Sequence, residues 1–215
     1  PQTWYLRADV DPCVALKTGK DVSICGSCTL RPKSFAPESG MCYVSVQFAP
    51  NNIYRRWSRG LYPKNPSPSD FNGLPLRLGA YGDPACVPFE VHDPLLEMCS
   101  FMLGYTSSWA ICDPRLRFYC MASVKSPQER EWAKDMGWRT YRMRWPDDKV
   151  DVGEIVCPGS EEGGKRVSCD QCRICCGGMH GTDVVTINHS GVLKNPRTAE
   201  GILAKRKNYE NKSND

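Results

Sequence analysis

The chain is 215 residues long, with 40% hydrophobic and 24% charged residues and a formal net charge of +4. This fits one globular domain of ordinary size and excludes an intrinsically disordered chain. A mean hydropathy of −0.48, with no apolar run near the ~20 residues of a bilayer span, excludes a membrane-embedded class, and so mild a charge permits nucleic-acid binding without requiring it.

In chain order, residues 4–10 read as a first strand. Pro32 and Pro37 break the cysteine-bearing segment that follows. Residues 44–60 read as a helix, with Val46, Ile53 and Trp57 at helical spacing, Arg55, Arg56 and Arg59 outward, and Gly60 as its stop. Pro63, Pro66 and Pro68 make 62–70 a loop. Residues 74–79 read as a strand that runs straight into the turn Gly79-Ala80-Tyr81-Gly82-Asp83-Pro84. Residues 94–103 read as a helix, 104–109 as a short strand and 117–124 as a longer one. Ser126, Pro127 and Glu129 then supply the cap, first-turn proline and capping-box acid of a helix ending at Gly137. Residues 138–144, 153–156 and 183–188 read as strands, and 205–215 as a polar tail that frays.

Strands separated by helices imply parallel pairing with right-handed crossovers. A complete eight-fold barrel typically takes ~250 residues, more than this chain has. The expected fold is α/β: a partial parallel (β/α) barrel, or an open parallel sheet. One domain would cover 1–200, with cysteine-rich metal-binding loops over 11–43 and 157–182 at the C-terminal strand ends, and a tail over 201–215. The rim formed by those strand ends also carries Asp11, Ser123, Lys125, Ser126, Arg144, Trp145, Ser160, Glu161 and His189, and in such folds that rim is the active face.

Thirteen cysteines are the strongest chemical signal. Their odd number, and a start without the apolar core of a signal peptide, argue for a reducing compartment. Cys157, Cys169, Cys172 and Cys175 form one set. Four thiolates can close a tetrahedral zinc site or hold a 4Fe–4S cluster. The run at i, i+3, i+6, with a remote cysteine followed by Pro158, favours iron–sulfur and leaves zinc as the alternative. Cys25, Cys28 and Cys42 form a second set of three. Three thiolates leave one coordination position open, as a catalytic metal or cluster requires. A structural knuckle closed by Cys13, a histidine or another residue is the competing reading. Cys13, Cys86, Cys99, Cys112, Cys120 and Cys176 otherwise read as small buried hydrophobes.

Of the histidines, His92 reads as a surface or capping residue, His180 as a residue able to complete a metal site, and His189 as core or rim. Arg55, Arg56 and Arg59 with Trp57 suit phosphate contact and base stacking, or a solvated helix face. No nucleophile elbow, phosphate-binding loop or His-Glu-x-x-His helix is present.

The order of these parts, a three-cysteine loop after the first strand and a glycine turn after the second, resembles a radical-SAM partial barrel. The resemblance implies that Cys25, Cys28 and Cys42 hold a cubane with one open iron. It also implies that Gly79, Tyr81, Gly82 and Asp83 receive S-adenosylmethionine, and that Cys157, Cys169, Cys172 and Cys175 hold a second cluster. The likeness is one of architecture: the family spaces its cysteines Cys-x3-Cys-x2-Cys, and its turn is of Gly-Gly-Glu type. A broader stretch, including Leu76 to Pro84, Met121 to Val124 and Cys157 to Gly163, resembles cysteine-rich proteins encoded by tailed phages. That likeness implies the cytoplasm of a bacterial host and names no substrate. Two functions follow: an iron–sulfur enzyme of radical-SAM type, or a zinc-stapled module that binds nucleic acid or a host protein.

Overall fold

The computed structural model describes residues 1–63, 66–164, 167–176, 181–187 and 196–213. Its elements run β1 (Gln2–Trp4), α1 (Pro12–Thr18), α2 (Val22–Cys25), α3 (Ala49–Ser58), β2 (Pro75–Tyr81), α4 (Phe89–Leu96), β3 (Phe101–Leu103), β4 (Tyr105–Thr106), β5 (Met121–Val124), α5 (Pro127–Asp135), β6 (Thr140–Arg144), β7 (Glu154–Val156), α6 (Cys169–Cys172), β8 (Asp183–Ile187) and α7 (Pro196–Ser213). The strands form two sheets, in the orders β1-β2-β3 and β4-β5-β6-β8-β7. All pairings between these strands are parallel. Gly104 alone separates β3 from β4, so the two sheets meet along one segment. The expected α/β class and parallel pairing are present.

The pleat sorts side chains onto two faces. Leu76, Leu78, Met102, Ala122 and Val124 pack with Phe89 and Leu96 of α4, Ala133 of α5 and Trp138 into the main core. Burying each of the larger ones contributes roughly 1.5–3 kcal/mol. The register places Arg77 beside Leu103, Tyr105 beside Met121, Ser123 beside Tyr141 and Met143 beside Thr186. These residues share the opposite face, together with Gly79 and Tyr81 of β2.

Several elements depart from expectation. The first strand ends at Trp4, because Arg7 turns to pair with Asp9 at 2.8 Å and Asp11 caps α1. α3 begins only at Ala49, with Pro50 in its first turn, while Val46 is buried against Ile24 and Tyr81. Residues 94–103 are not one helix. The helix starts after Pro88, carries Pro94 inside it and ends at Leu96, since proline denies the helix an N–H and crowds the preceding turn. The chain then enters β3, with Ser100 N–H donating to Leu74 O at 3.0 Å. The segment read as a fraying tail is helical to Ser213, with Ile202 buried and Arg206 paired to Asp147 and Asp148. Among the described residues no helix is long and apolar enough to cross a membrane.

Candidate functional site

The thirteen residues between Cys28 and Cys42 do not separate them in space. The excursion folds back on Leu30, whose carbonyl accepts from the N–H of Gly40 at 3.2 Å and of Cys42 at 3.1 Å. The base of the loop is fastened by Asp21, which is fully buried and takes two hydrogen bonds from the Arg31 guanidinium at 2.9 and 3.0 Å. Such a two-pronged pair fixes geometry as well as charge. The same guanidinium donates to Gly19 O at 3.1 Å. Cys28 N–H closes a turn onto Cys25 O at 3.1 Å.

The glycine turn is latched to this loop. Gly79 and Gly82 hold φ values of +65° and +82°, a region open to glycine with little cost. A Cβ on Gly82 would lie 2.9 Å from Ile24 O. Asp83 N–H donates to that carbonyl at 2.7 Å, one residue before Cys25. The Asp83 carboxylate accepts from Ala85 N–H at 2.9 Å and Ser107 N–H at 2.7 Å. It thereby ties the end of β2 to the end of β4. Burial raises the Asp83 pKa, and hydrogen bonds from Thr106 and nearby amides offset part of the rise. The carboxylate's first duty is to hold the turn, with its oxygens already engaged by backbone.

These pieces enclose one cavity of about 110 Å³, bordered by Cys25, Cys28, Cys42, Gly79, Tyr81, Gly82 and Asp83. The three-cysteine set and the glycine turn singled out in the sequence are thus on one wall. Burial pushes the Cys25 thiol far up, with Cys28, Asp21 and Cys42 adding to the rise, and lifts Cys42 to about 11. Cys13 packs in the apolar cluster with Cys25 and Tyr81 but does not border the cavity. Cys86, which the sequence leaves as an inert hydrophobe, stands behind the Cys25–Cys28 turn, its Sγ 3.1 Å from where a Cβ on Gly26 would be.

The C-terminal cysteines gather beneath the same sheet face. Cys157 follows β7 and donates its N–H to Val185 O at 2.8 Å, and Ser160 Oγ donates to Cys157 O at 2.7 Å. Glu162 pairs with Arg144 and accepts from Ile187 N–H at 3.1 Å, fixing the loop to β6 and β8. Cys169 and Cys172 occupy the single turn of α6, capped by Ser168 and Gln171. Cys157 and Cys175 pack with Tyr105 and Tyr141, whose rings meet at 4.5 Å. Burial takes Cys175 to about 12, and the Tyr105 phenol beside it opposes the rise. Cys176 forms an isolated antiparallel backbone bridge with Leu103.

A second cavity, of about 220 Å³, is bordered by Tyr43, Arg77, Tyr105, Ser123, Tyr141 and Cys169 among others. It shares Leu30, Tyr43, Tyr105 and Ser123 with the first, so the two adjoin. The sequence reading missed Arg77, Tyr43, Tyr105 and Tyr141. Arg77, Gly79 and Tyr81 alternate along one strand, and that period of two was the available signal.

Among the described residues, no three His, Cys, Asp or Glu side chains stand as a ready-made metal-holding group. The thiols share a wall and do not converge on a point. Their donor chemistry still suits a soft metal or cluster, and the Tyr81 hydroxyl, buried beside them without a hydrogen-bond partner, fits a cavity that takes in a polar group. His92 is no surface residue. It is buried, with Nε2 3.0 Å from Pro84 O and its ring edge-on to Tyr5. His180 and His189 lie outside the described residues. Arg55, Arg56, Arg59 and Trp57 are exposed on and just beyond α3. No family model, curated protein or solved structure matches the chain.

Proposed function

We propose that the chain is an iron–sulfur protein of radical-SAM type, with Cys25, Cys28 and Cys42 as ligands of a 4Fe–4S cluster and the parallel strands arranged as a partial barrel around it. The observation that carries this reading is the shared cavity. Three thiols, a glycine turn with positive φ and an unpartnered tyrosine hydroxyl border one space. A cluster there supplies an iron with an open coordination position and an electron. The chain's own residues do the rest. Gly79 and Gly82 let the turn close tightly on Pro84, Tyr5 and Ile24 while bordering the cavity, Tyr81 offers a ligand a phenol, and Asp83 holds the turn in place. Cys157, Cys169, Cys172 and Cys175 are proposed to hold a second centre beneath Tyr105 and Tyr141. All thirteen cysteines are free thiols, which supports a reducing setting such as the cytoplasm of a bacterial host, as the phage likeness implies.

The reading is tested by adding S-adenosylmethionine to the anaerobically purified, reduced protein. Its electron paramagnetic resonance spectrum should change, and Tyr81→Phe should blunt the change while retaining the cluster. An unchanged spectrum from an iron-loaded protein counts against the reading. A second reading, a zinc-stapled module that binds nucleic acid, draws support from the exposed arginines and Trp57 of α3. It requires binding to single-stranded DNA that weakens with salt, with a shallower salt slope in Arg55→Ala/Arg59→Ala.

A further inference from the structure

Arg77 projects from the middle of β2 into the second cavity. Its surroundings are unusual for a guanidinium. Among the described residues no carboxylate lies within ion-pair distance of it. Its Nε is buried and has no hydrogen-bond partner, and its side chain makes one long contact, Nη2 to the Tyr43 hydroxyl at 3.4 Å. The guanidinium is half-buried, and a nitrogen of it removed from water without an acceptor is costly and calls for a specific explanation. What sets Arg77 apart from its neighbours is the missing counter-charge: Arg142 reaches Glu154 at 2.7 Å, although its Nη1 is also buried without a partner, and Arg130 reaches Asp183 at 2.9 Å.

The rest of the lining completes the pattern. No aspartate or glutamate borders the cavity, while Tyr43, Tyr105, Ser123 and Tyr141 do, the Tyr105 and Tyr141 hydroxyls meeting the thiols of Cys175 and Cys157. One cation without a carboxylate partner, the hydroxyl-bearing Tyr43 and Ser123, the aromatic walls of Tyr105 and Tyr141 and about 220 Å³ of space match a small molecule with an anionic head on an apolar body.

We infer that this cavity binds a small organic anion, its carboxylate or phosphate held by Arg77 and the Tyr43 hydroxyl and its body against Tyr105 and Tyr141. The inference deepens the function proposed above by naming the substrate class, because the cavity adjoins the one bordered by Cys25, Cys28 and Cys42. It does not depend on a cluster being present.

The test is calorimetric titration of the protein as purified, its metal content measured alongside, with benzoate, phenyl phosphate and the neutral benzamide. The carboxylate and phosphate arms tell which head group is preferred. At least one anion should bind saturably and more tightly than benzamide. Arg77→Gln should weaken that anion by at least about tenfold, Arg77→Lys should weaken it less, and Tyr43→Phe, which leaves Arg77 in place, should weaken it severalfold. Each variant is checked for an unchanged thermal melt. Should Arg77→Gln fail to fold, the anion preference and Tyr43→Phe still decide. Benzamide binding as well as the anions, no binding by either anion, or undiminished anion binding to folded Arg77→Gln would overturn the inference. Metal-free protein that binds the anion contradicts the cluster and not this site; iron-loaded protein that binds neither anion does the reverse.

Discussion

Gly82 shows how one atom can set the geometry of the site. A Cβ there would sit 2.8 Å from the Tyr5 Cβ and 2.9 Å from Ile24 O, at a φ of +82°. Gly82→Ala should therefore cost about 1–3 kcal/mol of stability, read as a lower urea midpoint, and should loosen the latch between Asp83 and Ile24. His92 gives a prediction in pH. Burial holds its pKa below the ordinary value, and the hydrogen bond to Pro84 O offsets part of the drop. Unfolded histidine takes up a proton near pH 6.5, which the folded imidazole resists. Its contribution is complete above that pH and is lost as pH falls through the lower, folded value. Comparing urea midpoints at about pH 7.5 and pH 5.5 should show a smaller drop in His92→Gln than in the parent chain. An equal drop would assign the acid sensitivity elsewhere. The sequence marks His92 only as a polar residue before a proline, and burial of this kind is set by α4 docking on the Pro84–Cys86 turn, which no local pattern encodes.

At the scale of elements, legibility followed locality. α5 was readable because its signals are adjacent: Ser126 Oγ accepts from Glu129 N–H at 3.0 Å, and Glu129 reaches back to Lys125 N–H at 2.8 Å. The 94–103 segment was not, because β3 exists only through its pairing with Pro75 to Arg77, far off in sequence. Cys25, Cys28 and Cys42, picked out by their spacing, all border one cavity, while the closure of their loop depends on the Leu30 carbonyl and the Asp21–Arg31 pair. The ion network behind β6 was also invisible in sequence. Arg142 and Glu154 are both fully shielded in their side chains and meet at 2.5 Å, with Arg130 and Asp183 alongside at 2.8 Å. Glu154→Gln, which strands a buried guanidinium, should destabilise by about 3–5 kcal/mol. The pair Arg142→Met with Glu154→Leu should cost far less than the two single changes summed, a comparison that chemical denaturation of the four chains provides.

Across the whole molecule, the C-terminal helix and the N-terminal cysteine loop are one assembly. Ile202 of α7 is buried with Leu30 and Met41, against Cys28 and Cys42, while Arg206 lies 5.0 Å over the Trp145 ring and pairs with Asp147 and Asp148. Ile202→Ala should cost about 2–5 kcal/mol and raise hydrogen exchange across 28–42, with β2 to β6 still protected. Uniform loss of protection would show instead that α7 supports the entire fold. The two cysteine groups meet the same sheet face from opposite ends of the chain, and the adjoining cavities between them are what that convergence builds. The central claim is that the Cys25, Cys28 and Cys42 wall holds a cluster. It is tested most directly by assaying iron, acid-labile sulfide and zinc in anaerobically purified protein, beside Cys25→Ser/Cys28→Ser/Cys42→Ser and Cys157→Ser/Cys169→Ser/Cys172→Ser/Cys175→Ser. Iron and sulfide should be present in the parent chain, and the first variant should lose the fraction that responds to S-adenosylmethionine while the second keeps it. A parent chain that carries zinc alone, or no metal, would contradict the claim.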